Sequence, residues 1–96
     1  MSPYYPSNML RRLRNEIPID SVIEHMLSLD VKNAQHILRF QCPICFNFHT
    51  ATNHLTNLAR CFDCQKNFNP IDLVIAVREC SFIEAVHFLT ENTSIK

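Results

Sequence analysis

Residues 39–65 read RFQCPICFNFHTATNHLTNLARCFDCQ, and this stretch decides the fold of the chain. Its two Cys-x-x-Cys pairs, Cys42/Cys45 and Cys61/Cys64, are separated by fifteen residues. A tight turn in each pair directs both thiols at one ion, and the second pair completes a tetrahedron with about 2.3 Å per Zn–S bond. The spacing therefore predicts one structural zinc ion held by the four cysteines.

The length and the cysteine count agree with a metal site. The chain of 96 residues is one small domain, and structural zinc contributes on the order of 10 kcal/mol of folding free energy to such domains. No apolar run approaches membrane-spanning length and the N-terminus lacks the apolar core of a signal peptide, so we expect a cytoplasmic protein with no membrane partner. In that reducing compartment we expect Cys80 to be a small buried hydrophobic residue rather than half of a disulfide.

The pattern of apolar residues predicts an α+β fold. We expect a small zinc ribbon, a three- to four-stranded antiparallel sheet, with one helix before it and two short helices after it. Alternating and β-branched residues predict strands over residues 37–41, 48–53 and 58–62. The two knuckles would then lie side by side at one end of the sheet.

Three helix starts are visible in the sequence after residue 16. Asp20 or Ser21 is expected to cap the first helix, with Ser21 and Glu24 forming a capping box. Asn69 followed by a proline predicts the start of the second helix. Ser81, three residues before a glutamate, predicts a further capping box at the start of the third helix.

The chain divides into three predicted parts: a basic N-terminal arm at 1–16, the zinc-ribbon domain at 17–90 and a C-terminal tail at 91–96. The arm carries three arginines against one glutamate. Ser7 is expected to cap a short helix through Asn15 within this arm, and a frayed terminus is the alternative.

The chain contains no glycine. Knuckle turns usually need a positive φ just after their second cysteine, where Phe46 and Gln65 stand in this sequence. Asparagine tolerates the left-handed region better than most residues. We therefore predict that asparagines replace glycine in the turns: Asn33, Asn47, Asn53, Asn57 and Asn67.

The ribbon is the basic part of a chain whose formal net charge is zero. Residues 32–66 carry four basic side chains against one aspartate, and a zinc ion with four thiolates adds a charge of −2, which leaves about +1. Binding of single strands needs cations along a track and aromatic faces on which bases stack. The candidate nucleic-acid-binding residues are Arg39, Arg60, Lys66, Phe48, His49 and His54.

Two of these assignments have alternatives. Core packing is the favoured prediction for the phenylalanines of this region, which are Phe40, Phe46, Phe48 and Phe62. A zinc site of three cysteines and one histidine, using His49 or His54, also remains open.

The segments on both sides of the ribbon make a resemblance specific. The chain resembles the zinc-binding domain of bacterial DnaG-type DNA primases over residues 17–90, in the motifs IPIDSVIE at 17–24, CPIC at 42–45, CFDC at 61–64, PIDLV at 70–74 and SFIEAVHFL at 81–89. The family's ligands are usually Cys, His, Cys and Cys, and Cys45 stands at the histidine position. Asp63 replaces the glycine of the family's Cys-Phe-Gly-Cys. Both changes add negative charge at the site, which lowers the expected affinity for DNA and leaves the expected fold unchanged.

The resemblance implies a function in DNA replication. In primases this module contacts the single-stranded DNA template, helps choose where primer synthesis begins, and works with a separate polymerase domain that holds the catalytic acidic residues. The sequence shows no catalytic constellation, so the chain is expected to be an accessory module of a primase at most, partnered by that domain or by a replication protein.

Three other hypotheses stay open. The near-neutral charge and Asp63 favour a zinc ribbon that acts as a protein-interaction scaffold without binding DNA. Cys42-Pro43-Ile44-Cys45 resembles a rubredoxin knuckle, which suggests an iron centre for electron transfer. A redox-active Cys-x-x-Cys is the third hypothesis, and four matched thiols favour a metal over it.

Overall fold

The computed structural model describes residues 5–34 and 37–93, in which helices flank a five-stranded sheet. The helices are α1 (Ser7–Asn15), α2, which begins as Ile19–Ser21 and continues as a π-helical segment at Val22–Met26, α3 (Pro70–Arg78) and α4 (Phe82–Glu91). The strands are β1 (Val31–Ala34), β2 (Ile37–Phe40), β3 (Thr50–Asn53), β4 (Leu58–Cys61) and β5 (Lys66–Phe68). None of the helices in these two ranges has the length and apolar character needed to cross a membrane.

The sheet is antiparallel throughout, and its strands follow one another in chain order from β1 to β5. The three predicted strands are present as β2, β3 and β4, so the α+β ribbon is confirmed. The sheet has five strands rather than three or four because β1 and β5 add one strand at each edge. The sequence of β1, VKNA, lacks alternation and β5 has only three residues, so pairing with the neighbouring strand, and not side-chain pattern, makes them strands.

One face of the sheet packs against the helices. Side chains that alternate along β2 and β4 point to this face, and Leu38, Phe40, Ala59 and Cys61 are buried there. Phe68 joins them from β5. Because the period of a strand is two, the residues between them point to the opposite face, which is open to solvent.

Helix α1 is part of the same core. A helix was predicted in this region, and it runs over Ser7–Asn15 with Pro6 as its N-cap residue rather than Ser7. Leu13 is completely buried, and α1 contacts both α3 and α4. Two helices therefore precede the sheet, where the ribbon prediction counted one.

The predicted cap of α2 is wrong. The helix begins at Ile19, and neither Asp20 nor Ser21 caps it. The side-chain oxygen of Asn57 instead accepts a hydrogen bond from the Ile19 N–H at 2.8 Å. Asn57 lies in the turn between β3 and β4, so the cap is supplied by a residue 38 positions away along the chain, which no local pattern indicates.

The predicted caps of α3 and α4 are confirmed. The Asn69 side chain accepts from the Asp72 N–H at 2.8 Å and the Asp72 carboxylate accepts from the Asn69 N–H. Ser81 and Glu84 form the same reciprocal pair at the start of α4. The hydrogen bond from the Ser81 N–H holds the pKa of the Glu84 carboxyl below its usual value.

Positive φ angles fall mainly on residues other than asparagine. Phe46 (φ 64°) and Gln65 (φ 57°) follow the two knuckles as expected, and Asn57 (φ 55°) occupies the β3–β4 turn. Ser28 and Glu79 complete the set within the described residues. Of the predicted asparagines in the described residues, only Asn57 has a positive φ and so replaces glycine. At Phe46 and Gln65 no asparagine is needed, because a knuckle closed by paired thiols holds the residue after it in the left-handed region whatever its type.

Replacing Gln65 by glycine is expected to stabilise the protein. Gln65 is exposed and its φ is 57°, a conformation that costs a residue with a Cβ atom roughly 1–2 kcal/mol and glycine almost nothing. After subtraction of glycine's greater entropy in the unfolded chain, Gln65→Gly should raise the free energy of unfolding by about 0.5–1 kcal/mol. Urea denaturation at saturating zinc measures this change.

The control is Asn67→Gly, two residues further along and in the middle of β5. Because glycine weakens a strand interior, this variant should lose about 0.5–1 kcal/mol. A loss of stability in both variants would contradict the proposed strain at Gln65.

Candidate metal centre

Two backbone turns bring the four cysteines together. Cys42 follows β2, and its carbonyl accepts the Phe46 N–H at 3.0 Å while its own N–H donates to the Asn47 carbonyl at 2.9 Å. Cys61 ends β4, and the turn after it leads into β5. Because β2 and β4 both pair with β3, the two turns lie at the same end of the sheet, as the sequence predicted.

The four thiols fit one zinc ion. Their Sγ atoms all lie within 4.8 Å of one another, with Cys42 Sγ 3.7 Å from Cys64 Sγ and Cys45 Sγ 3.5 Å from Cys61 Sγ. A tetrahedral ion with Zn–S bonds of about 2.3 Å requires sulfur atoms roughly 3.8 Å apart. The donor set and its spacing therefore suit a closed structural site, in which zinc would tie the two turns together.

Backbone amides turn toward the sulfur atoms. The Ile44 N–H donates to Cys42 Sγ at 3.4 Å, and the Cys64 N–H donates to Cys61 Sγ at 3.5 Å. Hydrogen bonds of this kind stabilise the thiolate form, which is the form that binds a metal. Cys42 and Cys61 are completely buried, whereas Cys45 and Cys64 are half-buried, so the site is covered on its core side.

The thiols titrate as an interacting set. Burial is the largest influence on Cys61 and raises its pKa, but hydrogen bonds from the Cys64 N–H and from the neighbouring thiols outweigh it and lower the pKa to about 6. Burial and the hydrogen bonds with the thiols of Cys61 and Cys42 raise the pKa of Cys64 to about 12. The surroundings therefore favour a thiolate at Cys61 and oppose thiolates at Cys45 and Cys64, whose pKa values are raised, and a bound cation would offset that opposition.

The two histidines considered as ligands are engaged elsewhere. His49 Nδ1 lies 2.7 Å from the Asp63 carboxylate and His54 Nε2 lies 3.4 Å from the Asp20 carboxylate. In the described part of the chain, the four cysteines form the one cluster of possible metal ligands. The structure therefore favours four thiolates over three thiolates and a histidine.

The candidate nucleic-acid residues do not all share one surface. Arg39 and Arg60 flank Ala51 in the sheet register and lie on its open face. Lys66 pairs with Cys61, whose side chain is on the core side, so Lys66 lies on the other face of the sheet from the two arginines. Phe48 is half-buried beneath Lys32, whose Nζ is 5.0 Å from the ring centre.

The structure adds two residues that the sequence reasoning missed. Lys32 pairs with Arg39 in the register, which extends the basic row by one strand. Phe62, which was predicted to pack in the core, is 62% exposed and lines a groove of about 720 Å³ with Arg39 and Arg60. We call this groove of the open sheet face the sheet groove. Lys32 could be found only from the register of β1 with β2, which places it opposite Arg39.

Phe40 and Phe46 were both predicted to pack in the core, and the structure buries one of them and exposes the other. Phe40 is completely buried, as predicted, whereas Phe46 is 68% exposed, and its predicted core position is wrong. Phe46 and Phe62 each come directly after a zinc-ligand cysteine at a turn. Ligation of that cysteine fixes the backbone and leaves the next side chain pointing outward, so hydrophobic character alone does not bury it.

Comparison with known proteins gives a family. The model of the CHC2 zinc finger, the zinc ribbon of DnaG type, matches residues 5–96. The match includes both knuckles, the helices on both sides and most of the predicted basic arm. A search of curated proteins found no match to the chain.

Proposed function

The chain belongs to the CHC2 zinc finger family of DnaG-type zinc ribbons, and from that premise we propose that it is a module that contacts single-stranded DNA. In this role it assists template recognition and the start of primer synthesis in DNA replication. The polymerase chemistry then belongs to a separate primase domain or replication protein, which is its expected partner in the cytoplasm.

The observation that carries this proposal is a row of cations across the open face of the sheet. Lys32, Arg39 and Arg60 occupy one line in the register of β1 to β4, and the small side chain of Ala51 leaves space between the arginines. Exposed Phe62 lies at the same groove. Cations beside an aromatic face are what a single strand needs for its phosphates and its bases.

The charge distribution of the groove supports an anionic ligand. Among the described residues, no carboxylate lines the sheet groove. Lys32 and Arg39 are directly opposite each other on neighbouring strands, an arrangement of like charges that destabilises a sheet. In the free protein Lys32 also lies over the Phe48 ring, and a bound phosphate would offset the repulsion between Lys32 and Arg39.

Removing both arginines is expected to weaken binding of single-stranded DNA. Arg39→Ala/Arg60→Ala should lower the affinity of the zinc-loaded protein for a dodecamer of thymidine by at least tenfold at low salt. It should also reduce the slope of log K against log salt concentration by about 1.4, since each phosphate contact on a single strand contributes about 0.7. Fluorescence anisotropy across a salt series measures both quantities.

The matched control is Lys66→Ala, because Lys66 belongs to the same knuckle end but faces the other side of the sheet. This variant should change the affinity by less than about threefold, which corresponds to a single distant and screened charge. Zinc content and melting temperature must stay at wild-type values in all variants. Equal binding by the double variant and the wild type would contradict a contact at the sheet groove.

A second candidate is a zinc ribbon that serves as a protein-interaction scaffold. The observation that favours it is the exposure of Phe46 and Ile44 on the first knuckle, because exposed apolar side chains grouped together mark contact surfaces. The absence of DNA binding by the wild type at low salt would support the scaffold alone. Zinc rather than iron is the metal in both cases, since both rest on the same family and the same four thiols.

A further inference from the structure

A second groove lies beside the zinc site and is separate from the sheet groove. It has a volume of about 570 Å³ and is bounded by the segment before β1, the first knuckle and the end of α3. We call it the knuckle groove. Its lining includes four apolar side chains and two carboxylates: Leu29, Phe46, Phe48, Val77, Asp30 and Glu79.

Phe46 has a costly conformation in this groove. It is 68% exposed and its φ is 64°, so a bulky residue occupies the left-handed region at a cost of roughly 1–2 kcal/mol. Ile44, two residues earlier on the same knuckle, is 43% exposed. The first knuckle imposes this φ, as the second knuckle does at Gln65, but it does not require an apolar side chain. Exposed apolar side chains that are grouped together, here Phe46 and Ile44, mark contact surfaces.

The groove is negatively charged. Asp30 and Glu79 are both exposed at its edge. Cys42 forms part of its wall, and its thiolate belongs to a zinc centre with a formal charge of −2. Of the basic side chains nearby, Lys32 lies over the Phe48 ring that lines the groove, where its single charge is outnumbered by the two carboxylates. Arg78 is turned away onto Phe88, with its guanidinium carbon 4.5 Å from the ring centre.

We propose that the knuckle groove binds a segment of a partner protein in which arginine alternates with an aliphatic residue. An arginine can pair with a carboxylate through two parallel hydrogen bonds and can also stack on an aromatic ring, and the groove offers both. The aliphatic side chain packs between Phe46 and Val77. Two carboxylates beside a zinc–thiolate centre repel phosphates, so this surface selects a cationic peptide and complements a DNA contact on the sheet groove.

A peptide titration tests the proposal. The probe is the capped hexapeptide Ala-Leu-Arg-Leu-Arg-Ala, added to zinc-loaded, ¹⁵N-labelled protein and followed by amide chemical shifts. Shifts are expected in residues 28–30, 41–48 and 76–79 and not in residues 51–53 of the sheet groove. The peptide with glutamate in place of both arginines should bind at least tenfold more weakly.

Variants of the two carboxylates locate the contact. Asp30→Asn/Glu79→Asn should reduce the affinity for the arginine peptide about tenfold, and asparagine tolerates the left-handed φ of 50° at Glu79. The matched control, Glu24→Gln/Glu91→Gln, removes the same charge from two exposed positions outside the groove and should leave the affinity unchanged. Phe46→Asn keeps the backbone conformation, removes the ring and should also weaken binding.

Four results with the peptide would overturn the proposal. They are the absence of shifts at millimolar peptide, shifts confined to other surfaces, equal affinity for the two peptides, and an unchanged affinity in Asp30→Asn/Glu79→Asn. A fifth result, shifts of residues 76–79 caused by oligothymidine, would also reject it, because these residues line the knuckle groove and not the sheet groove. None of these results depends on whether the sheet groove binds DNA, so the two proposals fail independently.

Discussion

Removing zinc with a chelator is expected to unfold this protein. The metal ties together two turns that lie on separate parts of the chain, and structural zinc in small domains contributes on the order of 10 kcal/mol. Net stabilities of whole domains are only about 5–15 kcal/mol, so the apolar core cannot replace the metal. Circular dichroism during titration with a chelator should show loss of helix and sheet in one transition, reversed by added zinc. A melting temperature that is unchanged by a chelator would contradict the metal assignment.

Variants separate the zinc ligands from the other candidates. Cys61→Ser should abolish stoichiometric zinc binding, because Cys61 is completely buried and its Sγ lies 3.5 Å from Cys45 Sγ. Cys80→Ser is the matched control, since the Cys80 thiol contacts the Val74 carbonyl at 3.8 Å and lies outside the cluster. His49→Ala should also keep one zinc ion per chain. Loss of zinc from His49→Ala would instead support the alternative hypothesis, a zinc site of three cysteines and one histidine.

Replacing Asn57 by alanine is expected to cause a large loss of stability without touching the metal. The Asn57 amide donates to the carbonyls of Arg14 and Ile17, both at 2.7 Å, and its oxygen accepts the Ile19 N–H at 2.8 Å. The three bonds hold the segment between α1 and α2 against the β3–β4 turn. At about 1 kcal/mol for each hydrogen bond, and about 1 kcal/mol for alanine at a φ of 55°, the loss should be about 3–4 kcal/mol.

Two further variants divide this loss into its parts. Asn57→Gly removes the hydrogen bonds but accepts the positive φ, so it should lose about 1 kcal/mol less than Asn57→Ala. Asn53→Ala lies at the start of the same turn, and its side chain bonds locally, to the Leu55 N–H; it should lose under about 1 kcal/mol. Denaturation at saturating zinc measures all three. Equal losses for Asn53→Ala and Asn57→Ala would show that the turn, and not the clamp on the helices, is responsible.

The metal centre was predictable because its chemistry is local. Two residues between the thiols of each pair place both sulfurs on one turn, and Cys42 and Cys45 need no distant partner to do so. The caps at Asn69 and Ser81 follow the same logic, since each bonds a residue three positions away. The open position of Arg39 also follows from a local pattern, because Arg39 lies between the buried Leu38 and Phe40 along β2.

The basic row was only partly predictable because it depends on strand register. Arg39 and Arg60 were selected as cations, but their alignment on either side of Ala51 comes from the pairing of β2, β3 and β4. The same register turned Lys66 to the other face and brought in Lys32 from a strand whose sequence has no alternating pattern.

The sequence by itself determined the zinc site, the α+β ribbon and the starts of α3 and α4, since each is marked by motifs whose residues lie within a few positions of one another. The tertiary structure alone decided the clamp by Asn57, the exposure of Phe46 and Phe62, and the two edge strands. These features depend on contacts between residues as many as 43 positions apart, or on turns held by a metal. A residue's own type and its near neighbours carry no information about such partners, so only the packed fold could reveal them.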